Sequence, residues 1–366
     1  MSLLRPTWIE IDLAALKHNA GTMRRFIGPK VRLVAVVKSH GFGCGAARAA
    51  AAVIAGGADM VAVGDPDDAI AIRDAGIKVP ILLYASTLPE AAAEVAALGA
   101  TVPLHDMGSL TAFAALDRPV EAYMKVEVGL GRLGIRSEQW DAAFAAIKRS
   151  GSLKLTGIYT HLSAPGNQER IDTQMSQFNR ACAIAEAAGL PRFTRMVAGS
   201  HAVVRHPETH CDAVNPGRCL FGLLEGEWAK MLPMRQVMAA IKSRIIQIKD
   251  FTAGEVVGYL GPDPLIRAKR LAVMPIGFGD GFNHLPPLGE VLVAGQRAPL
   301  VVRRGIEHMV IDVTLVSSAQ VGSEVVLMGH QGADQITPAE LCGWLNMPML
   351  ELLPRLARTL PRVYLD

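Results

Sequence analysis

The sequence predicts an α/β protein in which an N-terminal (β/α)8 barrel of the TIM type is followed by a smaller, mainly antiparallel β domain. Over roughly the first 220 residues, short apolar runs alternate with Ala-rich stretches, which is the pattern of repeated βα units around a parallel sheet. From about Met234 the chain changes to Val/Ile-rich runs separated by Gly and Pro, which is typical of antiparallel strands. At 366 residues the chain is also longer than one ordinary core requires, so two domains are expected.

Eight short apolar runs are the predicted barrel strands. Eight parallel strands are the number that closes a barrel of this kind. The Ala-rich stretches between them are rich in strong helix formers and are the predicted outer helices. The predicted strands are residues 33–37, 60–64, 81–84, 101–104, 122–128, 155–159, 195–197 and 219–223, and the predicted helices include residues 46–55, 90–97 and 175–188.

The predicted β domain begins where the composition of the runs changes. We predict a barrel domain over residues 1–230 and a C-terminal β domain over residues 231–366, with the first strand of the chain as a candidate member of the β domain. The predicted strands of the β domain include residues 243–248, 271–274, 290–293, 299–302 and 324–327.

Composition argues against several classes of function. The chain has 37 Lys and Arg against 34 Asp and Glu, and this small, dispersed excess does not suggest a nucleic-acid interface. Its five cysteines are odd in number and never form a CxxC pair, which indicates reduced thiols. The N-terminus has no apolar signal core, and no run reaches membrane-spanning length. We expect a cytoplasmic protein that acts on small molecules, with no nucleic-acid or membrane partner.

The densest chemical pattern is an apolar strand that ends in Lys38 and opens into a glycine-rich loop reaching Gly45. In a barrel, the carboxyl ends of the strands form the active face. A lysine there can be partly desolvated, and desolvation lowers its pKa toward the value that Schiff-base chemistry requires. The alternative is a solvated lysine at a strand end, which is the commoner outcome for an isolated Val-Lys-Ser sequence.

Three other patterns do not predict sites. Residues 129–134 satisfy GxGxxG after a strand, but no acidic residue follows at the distance at which one binds a ribose. The spacing of His201, His206, His210 and Cys211 matches no standard zinc site, so we expect no metal. The glycine-rich residues 277–281 lack the GK[ST] ending of a nucleotide-binding P-loop.

A series of motifs resembles the alanine racemases, a family of fold-type III pyridoxal-phosphate enzymes. AVVKSHGFGCG at residues 35–45 resembles the family's cofactor-lysine motif AVVKANAYGHG, and KVEVGLGRLG at residues 125–134 resembles KVDTGMGRLG. The matches continue in the same order along essentially the whole chain, so the sequence is similar to a divergent member of that family. The other matching segments are residues 5–19, 160–163, 198–200, 214–222, 257–259, 275–281 and 361–364.

The resemblance implies an amino-acid racemase that interconverts L- and D-amino acids, with alanine as the default substrate and pyridoxal 5'-phosphate on Lys38. Racemisation removes the Cα proton from one face and returns it to the other, so two acid/base groups must flank the substrate. The family implies Lys38 as one group and Tyr259, supplied by a partner subunit, as the other. The expected assembly is therefore a homodimer with shared active sites. His161 matches the family's partner of that tyrosine, although from the residues alone it also suits a hydrogen-bonded core position.

The resemblance also implies how the cofactor is bound. Backbone N–H groups around Gly217 and Arg218, with the Ser200 hydroxyl, suit the cofactor phosphate. Arg132 corresponds to the arginine that orients the cofactor ring oxygen and the substrate carboxylate, although alone it also suits a surface ion pair. Lys125 matches a lysine that is carbamylated in some family members.

Several residues depart from the family pattern around the cofactor and the substrate entrance. Asn215 aligns with the arginine that faces the pyridine nitrogen, so the fixed positive charge there is absent unless the adjacent Arg218 substitutes. The alternative is that the Asn215 amide N–H donates to an unprotonated ring nitrogen. Phe42 aligns with a phosphate-binding tyrosine and has no hydroxyl to donate. Arg358 aligns with a second tyrosine and is a candidate ligand of the phosphate or of an acidic substrate. The remaining departures are Phe278, Ile306 and Glu307, of which the last two are candidate substrate contacts.

These departures leave alternatives to alanine racemisation. One is a racemase of a larger or acidic amino acid, and another is a pyridoxal-phosphate-binding homologue with little racemase activity. A decarboxylase on the same barrel is disfavoured, because its second-domain Cys and Asp pair is absent. A pure cofactor carrier is disfavoured by the second domain and by Tyr259.

Overall fold

The computed structural model describes residues 4–365 except residues 85, 225, 258–263, 284–288, 302–304 and 357–358. The chain forms two compact units. One is Ala14–Arg235, and the other combines Met1–Leu13 with Gln236–Asp366. Among the described residues, no helix is both long and apolar enough to cross a membrane.

The first unit contains a parallel sheet of eight strands in the order β4-β3-β2-β9-β8-β7-β6-β5. The two ends of this order meet, because Leu83 N–H donates to Thr101 O and Thr101 N–H donates to Ile81 O. The predicted α/β barrel is therefore confirmed. Its strands are β2 (Arg32–Val36), β3 (Met60–Val63), β4 (Ile81–Leu83), β5 (Val102–Leu104), β6 (Val120–Lys125), β7 (Leu153–Tyr159), β8 (Thr194–Ala198) and β9 (Ala213–Val214).

Helices connect the barrel strands, and side-chain caps fix where several of them begin. The Asp65 carboxylate accepts from Asp67 N–H at the start of α4, and Asp106 and Ser109 form a reciprocal capping box at the start of α6. The helices of this part are α1 (Leu13–Ile27), α2 (Lys38–Phe42), α3 (Ala46–Ala55), α4 (Pro66–Asp74), α5 (Ala92–Ala97), α6 (Met107–Ala114), α7 (Trp140–Arg149), α8 (Gln168–Ala187), α9 (Ser200–Arg205) and α10 (Glu227–Met231).

Two strand predictions in the barrel are corrected by the structure. The run at residues 219–223 is not a strand, because Arg218–Phe221 forms a 3-10 turn and the eighth strand is the two-residue β9. The run is apolar because its side chains are buried, and continuous burial does not distinguish a strand from a buried turn. The strand predicted at residues 122–128 ends at Lys125, where the chain leaves the sheet.

The second unit is built mainly from antiparallel strands, as predicted. One sheet has the order β14-β13-β16-β10-β1-β18, with β17 on β16, and a second has the order β11-β12-β15. Only β1 and β18 pair in parallel among the described strand pairs of this unit. Its strands are β1 (Thr7–Asp12), β10 (Met238–Arg244), β11 (Gln247–Phe251), β12 (Lys269–Met274), β13 (Glu290–Val293), β14 (Gln296–Pro299), β15 (Met309–Asp312), β16 (Glu324–Gln331), β17 (Asp334–Ile336) and β18 (Arg362–Leu365), and its helices are α11 (Pro338–Leu345) and α12 (Met349–Leu356).

The strand predicted at residues 243–248 is divided between two sheets. β10 ends at Arg244 and pairs with β1 and β16, whereas β11 begins at Gln247 and pairs with β12. An unbroken Val/Ile-rich run does not reveal where a chain passes from one sheet to the next, because both parts bury apolar side chains.

Candidate active site

Lys38 follows β2 directly and begins a turn of unusual backbone conformation. Ser39 and His40 have left-handed φ values of 56° and 56°, and Gly41 follows with 63°. Left-handed backbone costs about 1–2 kcal/mol for each non-glycine residue, so other contacts must hold this turn. Asp68, a buried side chain of α4, accepts the His40 backbone N–H with both carboxylate oxygens at 3.1 Å. The turn that carries Lys38 is therefore anchored to a neighbouring helix.

The Lys38 amine lies in surroundings that favour its neutral form. Burial lowers its pKa, and the positive charge of Arg132 lowers it further. A lysine nucleophile reacts as the neutral amine, so both effects suit covalent chemistry at Nζ.

A second lysine lies near Lys38 in the same part of the barrel. Lys125 ends β6, is 6% exposed, and has its Nζ 5.4 Å from the centre of the Tyr159 ring. Burial lowers the pKa of Lys125 to about 8, with further lowering by Arg132 and Lys38 and partial opposition from Glu127. The site therefore holds more positive than negative charge and is suited to an anionic ligand.

His161 follows β7 and is neutral at pH 7. Burial is the main cause that lowers its pKa to about 4, and the nearby positive charges of Lys125, Arg132 and Lys38 lower it further. A histidine in this state can offer a hydrogen bond but not a positive charge.

Arg132 lies in the loop after β6, and its side chain is exposed in the single chain. Glu127 organises this loop, because its carboxylate accepts the backbone N–H of Gly129 at 2.5 Å and of Arg132 at 3.4 Å. Burial alone would raise the pKa of Glu127, but the backbone N–H groups of the loop lower it overall. The backbone that carries Arg132 is thus held by an ionised carboxylate.

Asn215 follows β9 and is 7% exposed. Its Nδ2 donates to Tyr84 Oη at 3.0 Å, and its Oδ1 has no hydrogen-bond partner among the described residues. The Tyr84 ring stacks on the Tyr159 ring with centres 5.9 Å apart, and burial raises the pKa of both phenols, which therefore stay neutral. One N–H of the Asn215 amide, the group expected to donate to the cofactor, thus donates to Tyr84, and Nδ2 carries a second N–H.

Ser200, Gly217 and Phe42 come together, as their matching motifs predict for a phosphate site. Ser200 Oγ accepts the backbone N–H of Gly217 at 3.0 Å and of Cys219 at 3.3 Å. A Cβ atom on Gly217 would lie 3.2 Å from Phe42 Cζ, which is a tight contact. A glycine therefore allows the backbone at residue 217 to pack this closely against the Phe42 ring. Arg218 begins the 3-10 turn that follows. The hydrogen bond that Cys219 N–H donates to Ser200 Oγ was not predicted.

Gly199 separates two of the predicted site residues. A Cβ atom there would lie 3.0 Å from His161 Cε1 and 3.9 Å from Asn215 Oδ1. The sequence analysis missed Gly199, Tyr84 and Asp68. The AGS motif at residues 198–200 was the one available signal for Gly199, whereas only the folded chain reveals the roles of the other two.

The predicted site residues of the second unit form a separate, exposed group. Phe278 is 42% exposed and Ile306 is 62% exposed. Their segments are joined because Phe278 N–H donates to Gly305 O at 3.1 Å and Gly279 N–H donates to Ile306 O at 2.8 Å. Glu307 adjoins this group, and its negative charge contributes to the raised pKa of Arg5, whose main cause is the hydrogen bond to Asp280. Tyr259 and Arg358 lie outside the described residues.

Comparison with known proteins gives one family over nearly the whole chain. A model of the alanine racemase N-terminal domain matches residues 11–225, and a model of the alanine racemase C-terminal domain matches residues 238–364. The chain is 32% identical to the alanine racemase of Desulfovibrio desulfuricans, with 100% of both chains covered. It is 30% identical to that of Methanococcus maripaludis, covering 98% of this chain and 99% of the relative.

Solved structures agree with this likeness. The alanine racemase of a D-cycloserine-producing Streptomyces lavendulae superposes with a TM-score of 0.89 at 28% identity, covering 100% of this chain and 98% of the other. The alanine racemase of Bacillus anthracis with bound L-Ala-P superposes with a TM-score of 0.90 at 24% identity, covering 100% of this chain and 96% of the other. Because the identity is that low, this likeness supports the fold alone.

Proposed function

Because the chain belongs to the alanine racemase family, we propose that it interconverts L- and D-alanine with pyridoxal 5'-phosphate bound covalently to Lys38. The observation that carries the proposal is the Lys38 amine at the end of a barrel strand, whose pKa is lowered by partial desolvation and by the positive charge of Arg132. The relatives named alanine racemase match over the full length of the chain, and this supports alanine as the substrate.

The residues present suit this cofactor. The Ser200 hydroxyl and the backbone N–H groups of Gly217 and Cys219 lie together, and this set of polar groups suits a phosphate. The positive charges of Lys125 and Arg132 suit the phosphate and ring oxygens. The unpartnered Asn215 Oδ1 is a buried polar atom that a ligand would satisfy.

When bound, the cofactor supplies an electron-withdrawing ring conjugated to the substrate nitrogen, which acidifies the Cα proton. Arg132 binds the substrate carboxylate and fixes the orientation of Cα. Lys38, released as a neutral amine, takes or returns the Cα proton on one face. The partner subunit's Tyr259 acts on the other face.

His161 assists the partner subunit's Tyr259 by hydrogen bonding. Because the pKa of His161 is about 4, the imidazole is neutral at pH 7 and adds no positive charge beside the phenol. Stabilisation of a phenolate therefore falls to the positive charge of Arg132.

We further propose a homodimer with shared active sites, in the cytoplasm. The exposed apolar residues Phe278 and Ile306 support the homodimer, because they suit burial against a second chain near its substrate entrance. The five cysteines are all free, which suits a reducing compartment.

The test is a racemisation assay of purified protein with added cofactor across a panel of amino acids. We expect the highest kcat/KM for alanine, loss of turnover in Lys38→Met, and no change in the exposed control Lys78→Met. Borohydride reduction and peptide mapping should place the cofactor on Lys38. Cofactor binding without turnover of any amino acid would indicate a carrier, and a larger or acidic preferred substrate would contradict the alanine assignment.

The shared site has its own test. Lys38→Ala and Tyr259→Phe chains should each be inactive as homodimers, whereas co-expression should restore part of the activity, because a mixed dimer contains one intact site. An active enzyme that remains monomeric at assay concentration would contradict the proposal.

A further inference from the structure

We propose that this chain holds the ring nitrogen of bound pyridoxal phosphate in its protonated form, as a donor to Asn215 Oδ1, and that Tyr84 is the positioning residue that orients the amide. The inference rests on the proposed function, since it requires the cofactor on Lys38. It concerns a different feature of the site, namely the proton on the ring.

Asn215 and Lys38 lie on the same side of the barrel sheet at neighbouring strands. β9 pairs in parallel with β2 through Leu33 and Val214, and Val36 N–H donates to Pro216 O at 2.9 Å. The carboxyl ends of both strands therefore meet at one edge, where Lys38 follows the first and Asn215 follows the second. The side chain of Asn215 is therefore a candidate contact for a ring attached to Lys38.

The hydrogen bonds of the Asn215 amide decide what it can bind. Its Nδ2 donates to Tyr84 Oη at 3.0 Å, while the buried Oδ1 has no partner among the described residues. Oδ1 only accepts hydrogen bonds, so a ligand that satisfies this unpartnered atom must supply a donor, whereas Nδ2 already has a partner for one of its two N–H groups. Leaving it unsatisfied would cost free energy, because a buried polar atom without a partner has lost its water.

Few groups of the cofactor can supply that donor. The phosphate oxygens are acceptors, and the ring oxygen next to the point of attachment belongs beside Lys38 and Arg132. The ring nitrogen accepts when neutral and donates when it carries a proton. A proton taken up from solvent therefore converts the ring nitrogen into the partner that Asn215 Oδ1 lacks, and no other bond is made or broken.

Tyr84 fixes which end of the amide faces the ligand. Its ring is stacked on Tyr159, so the position of Oη is set by packing. A Tyr84 hydroxyl that donated instead of accepting would reverse the amide and present Nδ2 to the ring, which would favour the neutral nitrogen. The two arrangements thus predict opposite protonation states.

The charged surroundings must also permit a positive ring. The titratable groups around this region are Lys38, Lys125, Arg132, His161, Tyr84 and Tyr159. Arg132 and, below its pKa of about 8, Lys125 are cationic and oppose a further positive charge, whereas His161 is neutral at pH 7. The phosphate and the ionised ring oxygen bring negative charge that offsets these cations. A protonated ring attracts electrons more strongly than a neutral ring, so it lowers the barrier to removal of the Cα proton.

The direct test uses the holoenzyme loaded with cofactor that carries ¹⁵N at the ring position. Protonation moves the ¹⁵N resonance of a pyridine nitrogen to a clearly separate position. We expect the protonated position in the native protein, unchanged as the pH is raised through the usual pKa of a pyridine nitrogen. The neutral position in the native holoenzyme would overturn the inference.

Two variants separate positioning from structural support. Tyr84→Phe releases Nδ2, so the ¹⁵N resonance should move toward the neutral position while one cofactor per chain remains bound. Asn215→Asp keeps an oxygen that accepts a hydrogen bond from the ring nitrogen, so the ¹⁵N resonance should remain at the protonated position. A Tyr84→Phe protein with full cofactor content and an unmoved resonance would show that Tyr84 does not orient the amide.

A binding measurement provides a readout that does not depend on these variants. A cofactor analogue with C–H in place of the ring nitrogen should bind the native chain at least about tenfold more weakly than the cofactor, because it lacks the charged donor. Equal affinity would contradict the inference. Borohydride mapping in the same samples reports attachment at Lys38, so failure of the proposed function is recognised separately.

Discussion

The barrel unit and the β unit both carry residues that the sequence assigns to one active site, but the two groups differ in their surroundings. In the barrel, Lys125 is buried and His161 is half-buried, and desolvation together with nearby positive charge lowers the pKa values of Lys38, Lys125 and His161. In the β unit, Phe278 and Ile306 are exposed and sit on turns joined by backbone hydrogen bonds. The surroundings within the barrel therefore already shift the acid/base properties of its residues, whereas the β-unit side chains face solvent.

The difference has a structural cause. Parallel strands bring their carboxyl ends to one edge, so side chains from distant parts of the sequence crowd together and lose water. The turns that carry Phe278 and Ile306 are joined through their backbones, so their side chains remain in solvent. Substitutions in the barrel group should therefore change chemistry and pKa values, and substitutions in the β-unit group should leave the stability of the chain unchanged.

The largest effect should come from Arg132→Lys. A lysine keeps the charge but loses the planar two-point contact with a carboxylate, so kcat/KM for alanine should fall about 100-fold. The exposed Arg136→Lys is the matched control and should remain near the native value. Equal effects of the two substitutions would show that Arg132 acts only as a surface charge.

The next effect should be a gain in cofactor affinity in Phe42→Tyr. The Phe42 ring lies 4.5 Å from the Phe221 ring, and its Cζ lies close to Gly217, at 3.2 Å from where a Cβ atom on that glycine would stand. A hydroxyl at that position adds one hydrogen bond to the phosphate, which should tighten cofactor binding about tenfold. Equilibrium titration of cofactor-free protein measures the effect, with the exposed Phe26→Tyr as control. Weaker binding would show that the pocket has no room for the hydroxyl.

A smaller effect concerns the pH dependence of stability in cofactor-free protein. The pKa of His161 is about 4 in the folded chain and 6.5 as its ordinary value. As the pH falls from about 6.5 to about 4, the unfolded chain takes up a proton that the folded chain does not, so stability is lost. Over this pH range the free energy of unfolding of His161→Gln should fall by about 1 kcal/mol less than that of the native chain, after allowance for solvent screening.

Urea unfolding at the two ends of that pH range measures the His161 effect. The exposed His330→Gln should show the native pH dependence, because His330 lies outside the cationic group. A native pH dependence in His161→Gln would show that folding does not shift the pKa of this imidazole, which would contradict the expected lowering.

The smallest effect on stability should be that of Ile306→Ser. Because Ile306 is 62% exposed, the free energy of unfolding of the chain should change by less than about 0.5 kcal/mol. Dimer affinity, measured by sedimentation, should nevertheless fall, whereas the exposed Leu315→Ser should change neither quantity. A large loss of chain stability in Ile306→Ser would break the contrast between the two units.

Much of the barrel could be predicted from the sequence, because β-branched apolar runs and Ala-rich helices alternate clearly. Seven of the eight predicted barrel strands overlap observed strands, and the exception is the run at residues 219–223. The run at residues 219–223 was mistaken for the eighth strand because β9 has only two residues and because the apolar turn that follows it is also buried. A strand so short leaves no alternation to recognise.

The candidate site divides in the same way. Lys38, Arg132, Ser200 and Gly217 lie in recognisable motifs, so their positions followed from the sequence. The left-handed turn at Ser39 and His40 did not, because these are not glycines and the contact that holds the turn comes from Asp68, which is distant in sequence. The orientation of the Asn215 amide likewise depends on Tyr84, a partner that no local pattern indicates.

The brevity of β9 has a consequence for how the protein fails on heating. Lys38 and Asn215 follow the two strands that the β2–β9 ladder joins, and that ladder pairs only Arg32 with Ala213 and Leu33 with Val214. Local opening at such a short ladder requires less free energy than unfolding of the barrel, and it separates the two residues while the outer helices remain folded. Activity should therefore be lost at a lower temperature than helical structure, and restored on cooling from the interval between the two.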